Sequence, residues 1–144
     1  MPVAPGTAGA LEGVAIYFAF YALHFGRTSS FVILAVINVL LFCAGVWASS
    51  RTCALTGLKD AHLIVVDEIS GQLIALTPLV LLTSISITGI VIGFLLFRLF
   101  DIFKPYPIRK LERLQGGLGV MADDALAGVY AAIALWLSTL AGIA

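Results

Sequence analysis

The sequence predicts an all-α protein: a polytopic membrane helical bundle of about five helices, with one helical hairpin, forming a single domain over residues 1–144. Its 144 residues are 61% hydrophobic and only 11% charged, whereas a soluble domain carries about a quarter charged residues. The mean hydropathy is +1.10. Apolar runs of helical length also recur between short polar segments, and the chain length leaves no room for a separate soluble domain.

Five apolar segments are long enough to form helices, and polar or turn-forming residues separate them. A polar turn at 26–30 follows the first segment, a polar loop at about 50–60 follows the second, and a proline- and glycine-rich loop precedes the last. We expect helices over about residues 10–25, 31–49, 61–83, 89–103 and 120–143.

The apolar stretch at 61–103 is too long for one crossing, because about 20 residues suffice. Residues 84–88 within it are rich in Ser, Thr and Ile, and they favour a turn over a helix. We therefore predict a hairpin with its turn at 84–88. Pro78 is expected to kink the first arm.

The distribution of charge supports this division. Fourteen of the sixteen charged residues fall in two windows, 51–68 and 98–124. With five crossings and the N-terminus inside, seven of the eight Lys and Arg residues lie on the inner side and only Arg27 lies outside, as the positive-inside rule requires. A single crossing over 61–103 would separate the two windows. We predict that both lie at the cytoplasmic face, where one active site can use their carboxylates.

Other features exclude or favour broad classes. The net charge is zero, which gives nucleic-acid binding no electrostatic basis. The two cysteines, Cys43 and Cys53, do not have the spacing of a metal site. Four aromatic residues are expected to face lipid or the membrane interface: Tyr17, Phe18, Trp47 and Trp136.

Asp67 and Glu68 form an acidic pair near the start of the predicted third helix. Gly71 follows Asp67 by four residues, so it shares the same face and leaves space beside the carboxylate. Adjacent helical residues point about 100° apart. We therefore expect one acid of the pair to bind a metal directly. The other acid is expected to bind the metal as well, to contact a metal ligand without binding the metal itself, or to act as a general base.

Arg98, Asp101 and Lys104 end the predicted fourth helix at a spacing of three, so they share one helical face. This arrangement suits a site in which Asp101 holds a metal while Arg98 and Lys104 hold phosphate oxygens. Pro105 and Pro107 are expected to stop the helix.

A glycine-rich loop at 116–119 leads into the last helix, whose first N–H groups can bind an anion. Asp123 and Asp124 follow as a third source of carboxylates, and Gly128 lies one turn beyond Asp124, where it permits close packing. Five carboxylates without nearby histidine or thiolate predict a hard, oxygen-ligated metal site, for which Mg²⁺ fits best and Mn²⁺ is an alternative. The neighbouring bases indicate a phosphorylated ligand.

At these motifs the sequence resembles the phosphatidylglycerophosphatase A family. The two most specific stretches are RLFDIFKPYPI at 98–108 and GGLGVMADDALAG at 116–128. Further matching stretches lie at 4–9, 59–60 and 64–71. The resemblance implies a small bacterial inner-membrane enzyme that removes the terminal phosphate of phosphatidylglycerophosphate with Mg²⁺. The lipid substrate would stay in the inner leaflet.

Combining the residue patterns with the resemblance gives a set of expected roles. Metal ligands are expected at Asp67, Glu68, Asp101, Asp123 and Asp124. Catalytic groups are expected at Asp67, Glu68, Asp101, Arg98 and Lys104. Substrate contacts are expected at Lys59, Arg98, Lys104 and Thr7.

Two other function classes remain open from the sequence. A lipid-headgroup transferase would need an Asp-Gly-x₂-Ala-Arg pattern with further spaced aspartates, which the sequence lacks. A transporter or ion pathway would distribute acids through the bilayer depth, whereas here they concentrate toward one predicted face. The chain also lacks a Cys-x₅-Arg loop, which disfavours a cysteinyl-phosphate intermediate.

Overall fold

The computed structural model describes residues 5–56, 65–82, 86–111, 113–114 and 116–143. Within these ranges the chain is helical and contains no strand, which confirms the all-α prediction. The helices are α1 (Pro5–Tyr21), α2 (Arg27–Thr56), α3 (Val66–Leu76), α4 (Ile87–Phe103), α5 (Ile108–Leu111) and α6 (Gly117–Leu140). A short 3-10 helix, Thr77–Leu81, continues α3.

Helices α1 and α2 extend beyond their predicted bounds. α2 begins at Arg27, so the polar turn predicted at 26–30 is wrong for residues 27–30. α1 begins at Pro5, in the region expected to precede the first helix; a proline is tolerated in a first turn because its missing N–H has no partner there in any case. α2 continues to Thr56, so the polar loop predicted at 50–60 is wrong for residues 50–56. Thr52 shows the reason: its hydroxyl donates to the Ala48 carbonyl at 3.0 Å, which satisfies the polar side chain inside the helix.

The region of the predicted hairpin is described only in part. α3 is followed at Thr77 by the 3-10 helix, and Pro78 lies in the first turn of that helix. At the position of the expected kink, the chain therefore changes from α-helix to 3-10 helix. α4 begins at Ile87, where Ser86 Oγ accepts a hydrogen bond of 2.9 Å from the Gly89 N–H. Residues 57–64 and 83–85 lie outside the described residues, so the hairpin stays a prediction.

The helices pack around α3 and α6. α6 contacts α2, α3 and α4, while α1 lies mainly against α3. Their shared core includes Tyr17 from α1, Leu34 from α2, Leu73 from α3 and Leu135 from α6, all fully buried. The prediction that Tyr17 faces lipid is therefore wrong, because the ring fills the space between helices. Trp47, by contrast, is 71% exposed.

The outer surface of the bundle is strongly apolar. Val39 and Leu40 on α2, and Leu95 and Ile102 on α4, are each more than half exposed. Soluble proteins rarely leave such large apolar faces in water. Within the described part of the chain, two stretches, Arg27–Thr52 and Gly117–Leu140, are long and apolar enough to cross a membrane. Both findings are typical of a membrane protein.

Candidate active site

Three carboxylates meet where the start of α3 faces the second turn of α6. Asp67, Glu68 and Asp124 each offer an oxygen, and these oxygens all lie within 4.8 Å of one another. Asp124 is only 5% exposed, and the other two are partly buried. The structure thus brings together three of the five acids that the sequence identified.

Asp67 and Glu68 both reach this point, although adjacent helical positions diverge by about 100°. Both carboxylates are therefore placed to serve a common ligand, which is one of the alternatives expected for the pair. The cause is their place in the first turn of α3, where backbone N–H groups lack helical partners. Asp67 Oδ1 accepts the Glu68 N–H at 3.0 Å and so folds back along the helix, while the longer Glu68 side chain reaches the same point.

A glycine contact sets the approach of α3 to α6. A Cβ added to Gly128 would overlap the carbonyl oxygen of Gly71. A Cβ added to Gly71 would lie 2.8 Å from the Asp124 carbonyl oxygen and 2.5 Å from the Phe97 ring. This confirms the close packing predicted at Gly128. At Gly71, where space beside the carboxylate was expected, the Asp124 carbonyl and the Phe97 ring pack instead. The contact lies one turn beyond the carboxylates on each helix, so it controls how closely they approach.

The remaining two acids are paired with bases. Arg98 Nη1 lies 2.5 Å from Asp101 Oδ2, and Lys104 Nζ lies 2.7 Å from Asp123 Oδ2. In the structure, Asp101 and Asp123 therefore form ion pairs with these basic side chains. Direct metal ligation by the two aspartates stays a prediction.

Lys104 differs from its expected position on the face of α4. The helix ends at Phe103, and Lys104 adopts a left-handed backbone conformation with φ of 43° before Pro105. The residue before a proline disfavours the right-handed helical region, so the chain turns there. This turn lets the ammonium group reach Asp123 on α6. Pro105 thus stops the helix as predicted.

The five acids act as one electrostatic group. The buried Asp124 carboxylate groups with those of Asp67 and Glu68, and Asp123 precedes it directly on α6. Among the described residues, Arg98 and Lys104 supply two positive charges beside these five carboxylates. An all-oxygen group of this kind is suited to a hard divalent cation.

α1 contributes a contact that sequence reasoning missed. A Cβ on Gly6 would lie 2.9 Å from both Glu68 Oε1 and Arg98 Nη1, and one on Gly9 would lie 3.2 Å from Glu68 Oε2. Gly6, Gly9 and Gly13 are spaced three and four apart, which puts them on one helical face. That small-residue spacing was the signal that could have found the interface. Thr7 lies in the same first turn and is partly buried.

The glycine-rich start of α6 is anchored by a second missed residue. Gly117 N–H donates to Ser50 Oγ on α2 at 3.1 Å. One of the N–H groups predicted to bind an anion is therefore used within the fold. α6 also begins three residues earlier than expected. The predicted substrate residue Lys59 lies outside the described part of the chain.

Comparison with known proteins identifies the relatives of this chain. The family model for phosphatidylglycerophosphatase A matches residues 1–139. A Haemophilus influenzae phosphatidylglycerophosphatase A is 37% identical over 134 residues, which cover 92% of this chain and 77% of that protein. The Escherichia coli protein of the same name is 34% identical over 132 residues, covering 91% and 72%.

A third relative carries a different name. A Bacteroides thetaiotaomicron protein, provisionally named as a phosphatidylinositol-3-phosphatase, is 41% identical over 142 residues, covering 94% of this chain and 86% of its own. No solved structure matches the chain significantly. Both names describe phosphoric monoester hydrolases. Because the family model matches nearly the whole length of the chain, the chain belongs to the phosphatidylglycerophosphatase A family.

Proposed function

We propose that this protein is a Mg²⁺-dependent lipid phosphatase that hydrolyses the terminal phosphomonoester of phosphatidylglycerophosphate to phosphatidylglycerol and phosphate. Membership in the phosphatidylglycerophosphatase A family supports the reaction. The observation that carries the mechanism is the convergence of Asp67, Glu68 and Asp124, whose carboxylate oxygens lie within 4.8 Å of one another.

The three carboxylates suit Mg²⁺, with Mn²⁺ as an alternative, because both ions prefer oxygen ligands. The carboxylate oxygens lie close enough together to serve one ion. Asp67, Glu68 and Asp124 would hold the ion. When bound, Mg²⁺ would polarise the phosphoryl group and make a bound water a stronger nucleophile.

Arg98 and Lys104 are the proposed phosphate-binding residues. A guanidinium group has five N–H donors. Arg98 can therefore keep its bond to Asp101 and still donate to phosphoryl oxygens. Lys104, held at Asp123, adds a second positive charge beside the site, where it would stabilise negative charge that develops in the transition state. Thr7 and Lys59 remain predicted substrate contacts.

In the proposed reaction a water molecule attacks the terminal phosphorus. Its oxygen forms a bond to phosphorus while the bond to the glycerol oxygen breaks. Glu68 accepts a proton from the attacking water, and the departing glycerol oxygen takes up a proton from the solvent. Arg98 and Lys104 hold the phosphoryl oxygens in line during this displacement. No covalent enzyme intermediate is required.

The proposed location is the bacterial cytoplasmic membrane, with several crossings and the active site facing the cytoplasm. The apolar outer faces of the helices support burial of the protein in lipid. The asymmetric placement of Lys and Arg supports the orientation. The acyl chains would then remain in the inner leaflet while the headgroup alone reaches the carboxylates.

A second candidate substrate is phosphatidylinositol 3-phosphate, favoured by the name of the 41%-identical relative. Phosphate release from both lipids in detergent micelles, with Mg²⁺ and with EDTA, separates the candidates. We expect the purified protein to prefer phosphatidylglycerophosphate and to lose activity in EDTA. Preference for the inositol lipid would reassign the substrate. Release unaffected by EDTA would refute the metal mechanism, and no release from any lipid phosphate would favour the transferase or transporter classes.

A further inference from the structure

Buried polar groups continue from the active site into the interface between α1 and α3. Gln72 and Tyr17 are both fully buried. Neither the Gln72 amide nor the Tyr17 hydroxyl has a hydrogen-bond partner among the described residues, and the same is true of Glu68 Oε2. The proposed mechanism assigns no role to Gln72 or Tyr17.

The geometry aligns these groups along one interface. Gln72 follows Glu68 by one helical turn, so the two side chains are neighbours on the same face of α3. α1 covers that face through its glycines: a Cβ on Gly9 would lie 3.2 Å from Glu68 Oε2, and one on Gly13 would lie 2.8 Å from Gln72 Cβ. α1 and α3 therefore run parallel to each other, and both lead away from the active site.

Tyr17 extends this alignment. It follows Gly13 by one turn on α1, and long helical side chains lean toward the N-terminus of their own helix. Its ring belongs to the same buried core cluster as Leu73 and Leu76, which follow Gln72 on α3. This lean would bring the hydroxyl back toward the level of Gln72.

The two oxygens of Glu68 have different surroundings. A Cβ on Gly6 would lie 2.9 Å from both Oε1 and Arg98 Nη1, which puts Oε1 on the side of the bases. Oε2 lies beside Gly9, on the side of Gln72. A donor at Oε2 would therefore fix the carboxylate plane and leave Oε1 directed toward the reacting groups.

Packing alone does not explain a glutamine at this position. Leu73 and Leu76 fill the neighbouring core with apolar side chains, and an apolar residue of similar size would fill the space of Gln72 without burying an amide. Buried polar groups almost always have partners, frequently an internal water, and the requirement is stricter inside a membrane.

We propose that Gln72 is a positioning residue for Glu68. Together with Tyr17, it holds Glu68 Oε2 through hydrogen bonds relayed by an internal water between α1 and α3. This inference rests on the proposed function, because the orientation of Glu68 matters for metal binding and for proton transfer from the attacking water.

The test compares Gln72→Met, Tyr17→Phe and the double variant with Leu73→Met, a control for packing in the same helix. Thermal unfolding, kcat and KM for phosphatidylglycerophosphate, and Mn²⁺ affinity by electron paramagnetic resonance are measured. We expect Gln72→Met to keep the melting temperature and KM, and to lower kcat and Mn²⁺ affinity by about tenfold or more, as is typical when an outer partner of a metal ligand is lost. Tyr17→Phe should show a smaller loss of the same kind. The double variant should be no worse than Gln72→Met, because both residues serve one network.

Wild-type kcat and wild-type Mn²⁺ affinity in a folded Gln72→Met protein would overturn the inference. If Gln72→Met does not fold, Tyr17→Phe decides: it removes one oxygen atom, and unchanged kcat and Mn²⁺ affinity would overturn the inference equally. If the wild-type protein released no phosphate, the proposed function would fail. The Mn²⁺ affinities would still decide the positioning role.

Discussion

Gly128 packs directly on the carbonyl group of Gly71, at the point where α6 passes α3. Each glycine lies one helical turn beyond a carboxylate of the site, Asp124 on α6 and Asp67 on α3. The absence of two side chains therefore determines whether the acids of the two helices can share one cation.

Replacing Gly128 with alanine should separate α3 from α6, because the new methyl group would overlap the Gly71 carbonyl oxygen. Overpacking of this kind typically costs about 1–3 kcal/mol in the free energy of unfolding. We expect Gly128→Ala to lower both thermal stability and phosphate release. Gly26→Ala is the matched control, since a Cβ there meets nothing within 4 Å. Equal behaviour of the two variants would contradict the assigned role of this contact.

Neutralising a carboxylate of the site should remove activity while preserving the fold. Asp67→Asn and Asp124→Asn keep the shape of the side chain but remove the charge that would hold the cation. We expect each to lower kcat by at least about 100-fold, measured as phosphate release at saturating Mg²⁺. Glu12→Gln, on an exposed part of α1, is the control and should retain activity. Near-normal turnover by both aspartate variants would refute the assignment.

Arg98→Lys keeps a positive charge but loses the planar fork of donors. A lysine ammonium group is a compact point charge, and it cannot contact Asp101 and a phosphoryl group with the same geometry. We expect KM to rise and kcat to fall, together lowering kcat/KM by about tenfold or more. The exposed Arg109 offers the control, because Arg109→Lys should leave both constants unchanged. A wild-type kcat/KM in Arg98→Lys would show that charge alone is sufficient.

Gly6→Ala tests whether the start of α1 belongs to the site. The added methyl group would lie 2.9 Å from Glu68 Oε1 and from Arg98 Nη1, so one of them must move. We expect a fall in kcat with little change in the melting temperature, because the disturbed groups are side-chain ends and not core packing. Steady-state kinetics and thermal unfolding of the purified variant check this. Unchanged kcat would show that α1 only covers the site.

The sequence predicted the chemistry of the site better than its geometry. Five acids and two bases could be identified because ionised groups are costly in an apolar chain. Their grouping could not be predicted, since it depends on which base pairs with which acid across helices. Lys104 illustrates this: its spacing from Asp101 predicted one shared face, but Pro105 turns the chain and directs Lys104 to Asp123 on another helix.

The helix boundaries show the same limit. Polar residues at 50–56 predicted a loop, yet Ser50 and Thr52 are accommodated in α2 by partners that a local pattern does not reveal: the Gly117 N–H of α6 and the Ala48 carbonyl. Gly128 was predicted correctly as a site of close packing, because it follows an acid by one turn. Gly71 was expected to leave space beside Asp67, but neighbouring helices pack there. Tyr17 was misassigned, since aromatic residues suit both a lipid-facing surface and a core.

Direct binding of Mn²⁺ to the purified protein in detergent, followed by electron paramagnetic resonance, tests the central claim most directly, because it needs neither substrate nor turnover. The account predicts saturable binding by the wild-type protein, competition by Mg²⁺, and loss of binding in Asp124→Asn with the fold retained. Wild-type binding in a folded Asp124→Asn protein, or no binding by the wild-type protein, would contradict a metal site formed by Asp67, Glu68 and Asp124.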